Sequence, residues 1–149
     1  MTYDIRVERL LNTTPELAFH QWISAEGRKQ WYTGEQSDWV ADAETDLRVG
    51  GTYWVTWGPI GSSTPWREEG TFVEVDAPNR LVYDSLATPP PDEGEPLTTR
   101  VTMTFEDRAG KTLVTLHEAG YPTEELRDMI EPFVVEGVEY FARSIPGAA

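Results

Sequence analysis

Residues 2–11 alternate: Tyr3, Ile5, Val7 and Leu11 fall on one side, Asp4, Arg6 and Glu8 on the other. That is the period of a half-buried strand. The spacing then lengthens. In TTPELAFHQWIS, Pro15, Ala18, Phe19, Trp22 and Ile23 recur at helical intervals. Thr14 suits the N-cap, Pro15 the first helical position, and Glu16 the positive end of the helix dipole. Ser24 opens a second short helix that ends at Trp31-Tyr32. From residue 37 the period returns to two. Strands are expected at 37–43, 52–57, 66–75, 80–87, 98–106 and 111–118, separated by Gly-, Pro-, Asn- and Asp-rich turns. Six consecutive antiparallel strands at nearly regular spacing imply one continuous curved sheet, with no linker long enough to divide residues 1–149 into two domains.

The last segment is helical again. Ile130, Phe133, Val134, Gly137, Val138, Phe141 and Ile145 form an apolar arc, with Glu131, Val135, Glu136, Glu139 and Arg143 opposite. Pro132 removes a backbone donor and crowds the preceding turn. The pattern therefore predicts a short lead helix from about Thr123, a break or kink at Pro132, and the long helix after it.

Strand parity sorts the connections. In an antiparallel meander the turns at 48–51, 76–79 and 107–110 share one end of the sheet, and all are short. The segments 58–65, 88–96 and 118–123 gather at the other end, long and Pro- or Gly-rich. Long loops on a rigid sheet are where binding mouths usually lie. Alternation also gives the inward face. Tyr53, Val55 and Trp57 point together, as do Leu81, Tyr83 and Ser85. Val101, Met103 and Phe105 follow, then Val114, Leu116 and Glu118. With Phe133, Gly137 and Phe141 from the helix they surround one interior, either a solid core or a ligand cavity lined by these residues. Gly137 costs a helix about 1 kcal/mol relative to alanine, so it marks either close backbone packing or space left for a ligand.

Composition narrows the function. There are 12 Lys+Arg against 26 Asp+Glu in 149 residues, a formal net charge of -14. With no basic cluster, that field excludes nucleic acid as a partner. The chain lacks cysteine, which removes disulfides and thiolate chemistry. Without a hydrophobic run at the N-terminus or an apolar stretch of ~20 residues, no membrane insertion is expected, and the location expected is the cytoplasm. His20 and His117, on different elements, make no metal-ligand spacing, and no phosphate loop or nucleophile motif is present. No cofactor is implied. His20 suits a surface pair with Glu16, Asp46 and Arg48 suit turn stabilisation, and the acidic loop 92–95 is expected to be solvated. Trp54 faces outward.

Strand, two short helices, six-strand meander and long C-terminal helix resemble the α+β helix-grip fold. TTPELAF with the later QWY, DLRVGGTY, EGTFVEVDAPNRLVY, TRVTMTFED and GKTLVTLHEAGY resemble the AHSA branch of the SRPBCC superfamily. Its members are homologues of the activator of a heat-shock chaperone ATPase, related to START lipid-transfer and birch-pollen-allergen-like proteins. The resemblance runs from residue 2 to about 144 and rests on structural motifs. It implies a binding domain for a small hydrophobic molecule, lipid- or polyketide-like, as monomer or homodimer. It leaves open a polyketide cyclase or hydratase, a chaperone-interaction or stress-response module, and a natural-product self-resistance protein. Where the family often carries tryptophan after the helix glycine, this chain has Val138. Its usual His-Glu run is shifted, so that Glu118 points inward and His117 outward.

Glu118 and Tyr83 are the candidate catalytic pair. An inward carboxylate titrates high when desolvated, unless a cation or hydrogen bonds compensate. Arg9, inward on the first strand, is the candidate cation, and the position of Glu118 near the strand end offers simple solvation as the alternative.

Overall fold

The computed structural model describes residues 1–149. Strand β1 (Tyr3–Leu11) is followed by helices α1 (Pro15–Ile23) and α2 (Ala25–Trp31). Strands β2 (Trp39–Thr45), β3 (Thr52–Pro59), β4 (Trp66–Asp76), β5 (Arg80–Thr88), β6 (Leu97–Arg108) and β7 (Lys111–Tyr121) come next, and helix α3 (Glu124–Ser144) closes the chain. The seven strands form one antiparallel sheet in the order β1-β7-β6-β5-β4-β3-β2, the helix-grip arrangement. The caps are local. Thr14 Oγ1 accepts the Leu17 amide, Ser24 Oγ accepts the Gly27 amide, and Thr123 Oγ1 accepts the Leu126 amide, at 3.0–3.2 Å. Ser24 thus ends α1 and starts α2, which sets the corner between them.

The interior changes character along the strand axis. At the short-turn end it is solid. Val55, Leu81, Met103, Phe105 and Val114 are buried, and Phe19 of α1 meets the Phe105 ring edge-on at 5.4 Å. Phe141 of α3 packs edge-on against Trp22 and Trp31 at 5.0 and 5.7 Å. The chain terminus seals the same end, with Ile145 and Ala148 buried and the Ala148 carbonyl accepting the Asn12 amide. Consequently α3 buries Val138, Phe141 and Ala142 from its C-terminal half, while its N-terminal half buries no side chain fully and is tied to the sheet edge by Arg127, which donates to the Asp4 carbonyl of β1 at 3.1 Å.

Four expectations change. Helix α3 runs unbroken through Pro132. That stretch is exposed, so the carbonyl whose donor the proline lacks is open to solvent, which lowers the cost of continuing the helix. Phe133, assigned inward by helical phase, is 71% exposed at the cavity rim, while its neighbour Val134 packs against the core. And 118–121 is strand rather than loop, since β1 continues to pair with β7 as far as Tyr3↔Tyr121. Strand β2 begins at Trp39, two residues later than predicted, opposite Pro59.

The division has an energetic signature. Phe105→Ala is expected to lose about 3–5 kcal/mol, whereas Phe133→Ala stays within about 0.5 kcal/mol of the parent. Urea unfolding at constant m-value measures both.

Candidate functional site

Beneath the middle of α3, at the long-loop end, a half-open cavity of about 540 Å³ remains. That is a size typical of small-molecule sites. Of the 22 residues that line it, 14 are hydrophobic. Its walls are aromatic by register. Trp57 of β3 and Trp66 of β4 pair across the ladder and stack at 6.1 Å and 19°. Tyr32 meets Trp57 edge-on at 5.0 Å, and Trp22 stacks on Trp31 at 4.6 Å. Gly137 forms part of the roof. A Cβ built on it would meet nothing within 4 Å, so this glycine faces open space rather than close backbone.

The residues expected to surround the interior divide according to depth along the strands. Trp57, Tyr83, Ser85, Val101, Leu116, Glu118, Gly137 and the exposed Phe133 border the cavity. Tyr53, Val55, Leu81, Met103, Phe105, Val114 and Phe141 do not; they are buried in the solid core beneath it. Alternation places both sets on the same face, and only the plug supplied by α1, α2 and the C-terminal half of α3 separates them.

Glu118 is held by two donors. Its Oε2 accepts the Thr99 hydroxyl at 2.7 Å, and its Oε1 accepts the Tyr121 hydroxyl at 2.5 Å. Burial pushes the carboxyl above the ordinary 4.5, against these two hydrogen bonds. Arg9 does not reach it. The Arg9 guanidinium instead pairs with Glu139 of α3, Nε to Oε1 at 2.7 Å. Tyr83 accepts the Trp22 indole N–H at 3.1 Å. Burial holds its phenol well above the usual range, so the hydroxyl keeps its own proton at the cavity wall. No hydrogen bond joins Tyr83 to Glu118.

Arg28 was not legible as a site residue. It is fully buried, its Nε donates to the Trp22 carbonyl at 3.1 Å, and its guanidinium carbon lies 4.0 Å from the centre of the Tyr53 ring. The Tyr32 and Tyr83 rings are each 5.8 Å away. Its two terminal nitrogens have no hydrogen-bond partner. Beside it Glu68, which borders the cavity, accepts the hydroxyls of Tyr32 and Tyr53 at 2.9 and 2.6 Å. Desolvation opposes the charge on Arg28, but the three tyrosines and Glu68 outweigh it and the guanidinium stays protonated. The segment AEGRKQW reads as a polar helix, and only the spacing of Arg28 to Trp31 and Tyr32 marks its inner face. Gly27, packed on the Gln21 backbone where no side chain fits, turns that face inward.

The remaining candidates lie outside the cavity. His117 points outward and bonds Asp4 at 2.7 Å across β1 and β7, a contact that lowers the Asp4 carboxyl. His20 is exposed and makes no ion pair with Glu16. The Asp46 carboxylate takes the Arg48 guanidinium at 2.9 Å in the turn before β3, and Trp54 lies half-buried under Arg67 at 5.4 Å. No group of His, Cys, Asp and Glu is placed to hold a metal ion. No helix is long and apolar enough to cross a membrane.

The family model described as Activator of Hsp90 ATPase homolog 1-like protein matches residues 12–148. Among solved structures, the AHSA1-like protein from Aeromonas hydrophila is similar at 22% identity and a TM-score of 0.75, over 95% of this chain and 91% of that one. Mll3558 from Rhizobium loti is similar at 17% identity and a TM-score of 0.75, over 97% and 98%. CalU16 from Micromonospora echinospora is similar at 14% and 0.68, over 97% and 77%. At these identities the likeness establishes a shared fold. A comparison with curated proteins gives no match.

Two measurements check the polar groups. The folded chain holds the Glu118 proton to higher pH than the unfolded chain does, so stability falls as pH rises from 4.5 through the folded-state value and then levels. Glu118→Gln lacks this decline. The parent should therefore lose ground to the variant over that interval in a pH series of urea melts, beyond a constant offset of about 1 kcal/mol for the altered hydrogen bonds. Arg28→Ala removes the guanidinium from the Tyr53 ring face and opens a void. It is expected to cost on the order of 3 kcal/mol, and Arg28→Met less, by the same unfolding measurement.

Proposed function

The chain belongs to the family of Activator of Hsp90 ATPase homolog 1-like proteins, and from that premise we propose that it binds a small, largely hydrophobic molecule in the cavity under α3. One observation carries the reading. The roof residue Gly137 and the stacked Trp57–Trp66 wall enclose about 540 Å³ that no side chain fills. Apolar surface moved from water into such a space contributes ~25 cal/mol per Å², offset by the guest's lost freedom. Tyr83, which keeps its proton, and Glu118 supply the few polar contacts that fix orientation.

Catalysis of the cyclase or hydratase kind would need Glu118 to exchange a proton with the guest. Its raised pKa and its place on the cavity wall favour that second reading. Both of its oxygens already accept hydrogen bonds, and Tyr83 is held neutral by burial, so binding remains the better supported function.

Native mass spectrometry of protein from its own host should reveal a co-purified small molecule. Gly137→Trp, which sets an indole into the space, should lose that molecule while keeping its unfolding midpoint within a few degrees. An adduct-free parent that also fails to brighten N-phenyl-1-naphthylamine, a neutral lipophilic dye, contradicts the proposal.

A further inference from the structure

The charge of the cavity wall bears on what the guest must be, given that the cavity is a binding site as proposed above. Its charged lining residues are Glu68, Glu118 and Glu136; no lysine, arginine or histidine borders it. Glu68 and Glu118 sit within the aromatic wall on β4 and β7, and Glu136 stands at the rim, bonded to the Tyr140 hydroxyl at 2.8 Å. Of the cations nearby, Arg143 lies over the Tyr140 ring at 5.2 Å and pairs with Glu35, and Arg28 lies behind the Tyr32, Tyr53 and Tyr83 rings; neither borders the space. A guest meets ring faces and carboxylate oxygens before it could reach the Arg28 guanidinium. Indole and phenol faces are negative at their centres and attract cations, most strongly where water is excluded.

We propose that the cavity selects a cationic amphiphile, a quaternary ammonium or protonated amine carrying an apolar tail, with its head among Trp57, Trp66, Tyr32, Glu68 and Glu118 and its tail against Val101 and Leu116. A carboxylate-headed lipid of the same length is disfavoured, because its head would lie beside two carboxylates. Arg28 makes no ion pair with Glu68 and is screened from the space by the tyrosine rings, whereas Glu68, Glu118 and the rim residue Glu136 border it, so the carboxylates set the sign of the field that a guest feels.

The test uses a matched set on the full chain at pH 8: octyltrimethylammonium, octanol and octanoate, all below their micellar concentrations, read by tryptophan fluorescence and calorimetry. The expected order is ammonium tightest by at least tenfold over octanol, with octanoate weakest. The overall charge of -14 attracts any cation, so the ammonium-to-octanol ratio is also measured in Glu118→Gln and in Glu68→Gln, each checked for folding by its melting curve. The ratio should fall to within about threefold of unity in at least one of them. A ratio unchanged in both variants assigns the preference to the overall field and overturns the proposal. Octanol or octanoate binding as tightly as the ammonium overturns the charge preference while leaving the hydrophobic site intact, and tight octanoate would indicate that guests reach Arg28. Failure of all three probes to bind overturns both this inference and the function on which it rests.

Discussion

Helix α3 buries side chains fully from only the C-terminal half of its length, and the cavity follows from that constraint. The short-turn end of the curved sheet is already filled by Phe19, Trp22 and Trp31 from α1 and α2 and by Leu81, Met103, Phe105 and Val114 from the strands. The helix seats Val138, Phe141 and Ala142 on this plug. A straight rod resting on a plug in a concave surface leaves a gap over that surface beyond the plug. Close packing is the default for protein interiors, so the unfilled half calls for a cause, and the glycine at the roof supplies part of it.

Within this apolar interior the polar groups are few and are treated differently. Arg28 and Glu68 are bound into a shell of tyrosines, with the guanidinium over a ring face and the carboxylate accepting two phenols. Such a buried arrangement is costly to break and need not add net stability; here it also fixes Tyr32 at the inner boundary of the cavity and Tyr53 in the core behind it. Glu118 has neutral donors for company and no cation, and its proton affinity rises accordingly. The two carboxylates thus present oxygen acceptors to the space from differently built surroundings, one beside a buried guanidinium and one among neutral donors.

Much of this was legible in the sequence, for identifiable reasons. The switch from period two to period 3.6 and back is unambiguous, and the turn chemistry places every strand within a few residues. Parity then assigns the long loops to one end. What alternation does not encode is depth. Val55 and Trp57, two residues apart on one strand, share a face, yet one is core and the other cavity wall. Helical phase put Phe133 inward for the same reason, since phase gives a direction and not a distance from the sheet. Pro132 suggested a break because its cost is real in a buried helix and smaller where water can repair it. Arg28 was hidden among charged neighbours in a helix of seven residues, too short for periodicity to single out an inner face.

The central claim is that the hollow lies at the long-loop half of the interior and nowhere deeper. Intermolecular nuclear Overhauser effects between bound octanol and the side chains of the labelled protein test it directly. The account predicts contacts to Trp57, Val101 and Leu116 and none to Leu81, Phe105 or Val114. Contacts to the second set, or a fully formed protein that shows none at all under saturating octanol, would contradict it.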